Sequence, residues 1–207
     1  EWIFAMRYAA TLFLLLGAMS GCAMNGSDDP LENVEEVMAT TIFDAPGAVP
    51  GTYAPRSRYR VQRGEYLVEL LGCGSCHTDG ALVGEPDLQR QLAGSAIGLA
   101  FTSPLQEANP GIVYPPNITP DDETGIGDLT DTEVADSIRA GVARHMNRRI
   151  TTMPWPGYAR LTDDDVDAIV SYLRSIRPIR HRVPARVEPG QPATEPFVYF
   201  GVFRKKK

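Results

Sequence analysis

The chain has 207 residues, 43% of them hydrophobic, with 20 basic side chains against 26 acidic ones and a net charge of −6. That is enough for one ordinary domain with tails, and the acidic balance argues against nucleic acid as a partner. Its 17 prolines and 19 glycines add an expectation of extensive loop.

From Met6 the sequence reads MRYAATLFLLLGAMSGC, with one positive charge, an apolar run, and then small residues before Cys22. That order is the order of an export signal. The apolar run falls short of the roughly 20 residues that a membrane span needs, although an uncleaved anchor or a buried helix are alternatives. The MSGC ending resembles a bacterial lipobox, which implies acylation of Cys22, anchoring at a bacterial membrane, and a periplasmic or outer-face location. Residues 1–22 are therefore read as signal and lipobox. Residues 23–57 are polar and broken by proline and glycine, with one short helix expected around Leu31 to Thr40. A flexible tether of that length reaches roughly 30 Å.

The next stretch, LLGCGSCHTDG (Leu70 to Gly80), places two cysteines and a histidine within five residues. With Cys22 assigned to the anchor, Cys73 and Cys76 remain as a pair. One bridge with two intervening residues is a poor staple for a domain of this size. A zinc site needs a fourth ligand and commonly a second CxxC or a histidine pair, and neither follows. A thioredoxin-like dithiol wants a βαβ setting, which the surroundings lack. Cys-x-x-Cys-His has a separate reading as the attachment site of one covalent c-type haem. Cys73 and Cys76 would form thioethers to its two vinyl groups, and His77 would be aimed at the iron.

Helical periodicity surrounds the motif. Arg63 to Cys73 carries a stripe of Tyr66, Leu67, Leu70 and Leu71 that runs into the attachment site. The acids of Asp121 to Glu133 do not keep EF-hand spacing and read as a solvated loop followed by a helix cap. Leu129 to Val142 opens with Thr130 and Glu133 at capping-box spacing, then Val134, Ile138 and Val142. Met153 follows in TTMPWPGY, where Pro154 biases it toward extended backbone. A stiff loop of that kind can hold a thioether against iron, making Met153 the candidate sixth ligand. Met146 and His145 are the alternatives, and His181, among arginines, reads as solvated. Leu161 to Pro178 repeats the helical pattern, with Thr162 as cap, three aspartates at the positive end of the helix dipole, and a stripe of Val166, Ile169, Val170, Leu173 and Ile176. No alternating run long enough for a sheet appears between Arg58 and Pro184, so the expected fold is all-α. Residues 185–207 form a Pro-rich, aromatic and basic tail. Its apolar residues either dock on a partner subunit or fold back on the domain.

CGSCH, PPNITPDDETGIGDLTDTEVADSIRAG and MPWPGYARLTDDDVDAIVSYLRSI together resemble class I cytochrome c domains. They are most similar to the haem domains in cytochrome subunits of bacterial membrane-bound dehydrogenases. The likeness covers about Tyr59 to Pro184, and residues 58–184 are read as the cytochrome domain. It implies helices wrapped on one haem, the first and last crossing near Ile169 and Tyr172. Gly64 would be the close-approach glycine, although it lies one residue further from Cys73 than is common. It also implies that the carbonyl of Pro116 or Pro115 accepts from the His77 ring, with Asn117 beside it at the cofactor. Trp155 and Tyr158 would line the haem edge. Relatives often carry a glycine-containing turn where this chain has Ala143 to Arg149.

With His and Met on the iron, both positions are filled, which suits one-electron transfer at positive potential. The expected partner is a membrane redox complex or another cytochrome. If Met153 is not a ligand, an open haem position would instead suit an enzyme or sensor. A fixed haem-bearing subunit inside a respiratory or photosynthetic complex is the third reading.

Overall fold

The computed structural model describes residues 29, 31–38, 57–141 and 152–206. Cys22, His145 and Met146 lie outside the described residues, as does the side chain of Trp155. The chain divides into two compact units, residues 1–35 with 204–207 and residues 36–203. In the smaller unit, Arg204 pairs with Glu35, and the Lys206 N–H donates to the Asn33 carbonyl at 3.0 Å.

The helices of the larger unit follow their sequence signals. Helix α1 (Arg58–Leu70) starts where the Ser57 hydroxyl accepts from the Arg60 N–H, and α2 (Cys73–His77) is the motif itself. Helix α3 (Asp131–Ala140) opens on a complete capping box: Thr130 Oγ1 accepts from Glu133 N–H at 3.2 Å, and the Glu133 carboxylate accepts from Thr130 N–H at 2.7 Å. A short helix, α4 (Trp155–Tyr158), precedes α5 (Asp163–Ser175), which is capped by Thr162. On α5 the expected stripe is buried at Val166, Ile169, Val170 and Leu173.

Helices α1 and α5 pack against each other, and Gly64 is what lets them. A Cβ at residue 64 would run into the Ala168 carbonyl and lie 2.7 Å from Tyr172 Cβ. This close approach re-centres the buried face of α1 on Gly64, Leu67 and Val68. Tyr66 and Leu70, expected to face the core, are instead 58% and 63% exposed. The helix is where periodicity puts it, but its face is rotated. Arg60 pairs with Asp167, and Arg63 Nε donates to Asp165 at 2.7 Å, closing the same interface at its rim.

The expectation of an all-α fold is overturned by two sheets. Strands β2 (Gly98–Ala100), β3 (Ile112–Val113) and β4 (Phe197–Tyr199) form a sheet in the order β3-β2-β4. Strand β2 runs antiparallel to β3 and parallel to β4, with Leu99 opposite both Val113 and Val198. Strands β1 (Val34–Met38) and β5 (Val202–Lys205) make a two-stranded sheet, so the stretch expected to hold a short helix contains a strand. The physical reason for the miss is length. In the three-stranded sheet, strands of two and three residues cannot display a period of two, and one of the two partners of β2, β4, lies about a hundred residues downstream.

The sheet also decides what the aromatic tail does. Phe197 and Tyr199 pack with Val183 and Val187 against a second small core of Ala100, Ile112 and Tyr114. This part of the tail folds back on the domain, whereas Phe200 and Phe203 remain 63% and 40% exposed. Arg186 lies over the Phe101 ring, 5.1 Å from its centroid, a cation–π contact on the same segment.

Candidate functional site

Elements from across the chain converge on one cavity of about 870 Å³, counted to its mouth. Helix α2 contributes Cys73, Cys76 and His77; the loop before α3 contributes Pro116, Ile118 and Ile126. Val134 and Ile138 come from α3, Ile169 and Leu173 from α5, and Met153 and Tyr158 from the segment between those helices. Almost all of this wall is apolar, with a few placed polar groups, as in pockets that bury small molecules and cofactors.

The polar groups on that wall are few and fixed. The His77 ring is buried, and its Nδ1 lies 2.8 Å from the Pro116 carbonyl. A carbonyl can only accept, so Nδ1 carries the proton and Nε2 keeps its lone pair. Burial holds the imidazole below its ordinary pKa, against the opposing pull of the Pro116 bond, and so favours the neutral ring. Burial also pushes the Cys73 thiol up to about 11 and moves Cys76 in the same direction. Tyr158, buried, donates to the Leu71 carbonyl at 3.1 Å, and burial raises its hydroxyl to about 12, with the two cysteines adding to the effect. All four groups report the same thing: the cavity penalises charge.

Of the residues singled out in the sequence, Cys73, Cys76, His77, Pro116, Met153 and Tyr158 all line this cavity. Pro116 is the acceptor for His77, while the carbonyl of Pro115 accepts from Ser95 N–H at 3.0 Å. Asn117 is 2% exposed and is not part of the wall. Its amide donates to Thr124 Oγ1 at 3.0 Å and to the Ile179 carbonyl at 2.7 Å, and its oxygen accepts from Thr119 N–H at 2.9 Å. That network braces the loop carrying Pro116. His181, expected in solvent, is half-buried, and its Nδ1 lies 2.8 Å from the Ala93 carbonyl.

Sequence reasoning missed Arg174. From the outer part of α5 it donates to the carbonyls of Ile126, Gly127 and Leu129 and pairs with Asp131 at 3.0 Å. It thereby pins the loop that supplies Ile126 and Leu129 to the cavity. An arginine in the last turn of a helix reads only as a dipole partner, so nothing in the local sequence announces this role.

The donor set fits a covalently attached porphyrin iron. Two thiols one helical turn apart, a neutral imidazole with a free Nε2, and a thioether all open into one apolar chamber. Comparison with known proteins agrees, since residues 61–177 match the cytochrome c family model.

The chain belongs to the cytochrome c family. Within the family it is an electron-transfer domain, not a catalytic one, and the family carries haem c bound covalently. Among its relatives is the cytochrome c subunit of a quinone-dependent alcohol dehydrogenase from Gluconobacter oxydans, 37% identical over 120 residues, which are 58% of this cytochrome and 22% of the relative. The gluconate 2-dehydrogenase cytochrome c subunit of Pantoea cypripedii is 35% identical over 120 residues, covering 58% of this cytochrome and 24% of the relative. A diheme cytochrome c-type protein of Cereibacter sphaeroides is 29% identical over 173 residues, 84% of this cytochrome and 50% of the relative. This cytochrome thus spans about a quarter of the length of the dehydrogenase subunits it matches.

Proposed function

We propose that this cytochrome is a membrane-tethered carrier of single electrons, with one haem, that accepts them from a membrane redox complex of the dehydrogenase type and passes them to a further redox partner. The observation that carries the reading is the chamber in which the CGSCH helix, a histidine ring fixed by Pro116, and Met153 all meet. Cys73 and Cys76 would hold the haem, and His77 and Met153 would ligate its iron. When bound, the haem supplies a one-electron change between ferric and ferrous iron. Each side chain has a separate task in this. His77 offers Nε2 while Pro116 fixes its tautomer and orientation. Met153 offers a soft donor that favours the ferrous state, and the apolar walls from α3 and α5 favour it further by excluding water. With His77 and Met153 both donating to the iron, little protein rearrangement would accompany the charge change.

The tether and its location rest on the sequence. Cys22 in MSGC would carry the lipid, residues 23–57 would link it to the domain, and the domain would work at the periplasmic or outer face of a bacterial membrane. The relatives are named as subunits of dehydrogenases, which favours, as a second reading, a fixed place inside such a complex over free exchange.

Ligation by both His77 and Met153 would have a direct test. Ferrous protein mixed with carbon monoxide is expected to show no rapid complex, and a potentiometric titration is expected to give one one-electron wave at positive potential. Immediate carbon monoxide binding would remove Met153 as a ligand and move the protein to the sensor or enzyme class.

A further inference from the structure

His77 is held at two points. Its ring donates to the Pro116 carbonyl, and its own carbonyl accepts from the Gly94 N–H at 2.9 Å. The segment Leu92 to Ser95 links these points. Ser95 N–H donates to the Pro115 carbonyl at 3.0 Å, and Ile118 N–H donates to the Leu92 carbonyl at 2.9 Å. Leu92 adopts φ 62°, a left-handed conformation that leucine keeps only where its neighbours over-determine it. Gly94, at φ 86°, lies so close that a Cβ there would come within 2.7 Å of Asn117 N and 2.9 Å of the Pro115 carbonyl. This bridge therefore transmits position between the His77 backbone and the carbonyl that orients its ring.

After α5, beyond residues 61–177 matched by the family, the chain returns to this bridge. The His181 ring donates to the Ala93 carbonyl at 2.8 Å, and its backbone N–H donates to Thr124 Oγ1 at 3.0 Å. Two residues earlier, the Ile179 carbonyl accepts from Asn117 Nδ2 at 2.7 Å, and its N–H donates to Thr119 Oγ1 at 3.0 Å. None of Ile179, Arg180 and His181 lines the cavity. Ile179 and His181 bind from outside to both segments that hold His77.

We infer that Ile179 to His181 is a clasp, and that His181 is a positioning residue that sets the strength of the His77–Pro116 hydrogen bond through Ala93 and Gly94. A hydrogen bond to the second ring nitrogen raises the basicity of a ligating imidazole. A more basic donor favours the ferric state, so loosening the clasp shifts the reduction equilibrium toward ferrous. The inference rests on His77 being the iron ligand, as proposed above.

The test compares full-length, haem-loaded wild type with H181L, which removes the donor, and H181N, whose amide nitrogen occupies the branch position of Nδ1. In H181L the reduction equilibrium is expected to move toward ferrous by about threefold, which is about 28 mV at ~59 mV per tenfold for one electron. Hydrogen exchange at the Gly94 and Ser95 amides should accelerate with it, and H181N should restore both readings. A potential unmoved in H181L while those amides lose protection would overturn the inference and leave His181 a packing residue only. Should H181L fail to fold, H181Q, which displaces the donor by one bond, is expected to shift the potential in the same direction, and an unmoved value there would overturn it equally. Wild-type protein that binds haem without His77 on the iron would contradict the functional reading itself, whereas a His77-ligated haem indifferent to residue 181 contradicts the clasp alone.

Discussion

Replacing Met153 by alanine is expected to lower the midpoint potential by on the order of 0.1 V or more, within the ~0.8 V span that axial ligands command. The sign follows from the donor that is lost. A thioether stabilises ferrous iron, and the water that would take its place in the opened chamber stabilises ferric iron instead. Met153 lines the cavity together with His77 and packs with Leu71 and Leu161 beside Tyr158, so its removal also frees space on that wall. The same variant should gain rapid carbon monoxide binding in the ferrous state. Spectropotentiometry on wild type and M153A decides the matter. An unchanged potential with unchanged carbon monoxide behaviour would show that the sixth ligand comes from elsewhere, and His145 and Met146 would be next in line.

Replacing Gly64 by valine is expected to cost about 4 kcal/mol or more, at the upper end of what single substitutions do. Two effects oppose each other here. Removing a helical glycine gains up to about 1 kcal/mol of propensity. Against that, the first added carbon overlaps the Ala168 carbonyl and lies 2.6 Å from that carbonyl's carbon, on a partner backbone that cannot rotate away. Overpacking wins because α1 and α5 would have to separate, uncovering Leu67, Val68, Ile169 and Leu173 together. A loss of that size consumes a large share of the ~5–15 kcal/mol that stabilises a typical domain. Denaturant titration of holoprotein should show the midpoint falling with little change in slope. A G64V protein unfolding at the wild-type midpoint would mean that the two helices do not cross at residue 64.

These two residues also show what the sequence makes legible. Attachment chemistry is contiguous, so CGSCH can be read from five letters, and capping hydrogen bonds span three residues, so Thr130 and Thr162 mark their helices. Periodicity located α5 and its buried stripe because that helix packs along one whole face. It located α1 but misassigned Tyr66 and Leu70, because a side chain that is absent, at Gly64, sets the line of closest approach. The sheets were missed for a different reason. Gly98 to Ala100 meets Phe197 to Tyr199 only in three dimensions, and no local pattern encodes a parallel pairing across that distance. Arg174 and His181 belong with the sheets. Both act mainly by donating to main-chain carbonyls, which every residue possesses, and the one carboxylate that Arg174 pairs with, Asp131, lies 43 residues away.

The most direct measurement is extraction of purified, full-length protein with acidified organic solvent, followed by the spectrum and intact mass of the denatured chain. One haem is expected to stay with each polypeptide, and both the pigment and the added mass are expected to vanish when Cys73 and Cys76 are replaced by serine. Pigment that leaves the wild-type chain, or that remains covalently bound in the double variant, would contradict the account at its root.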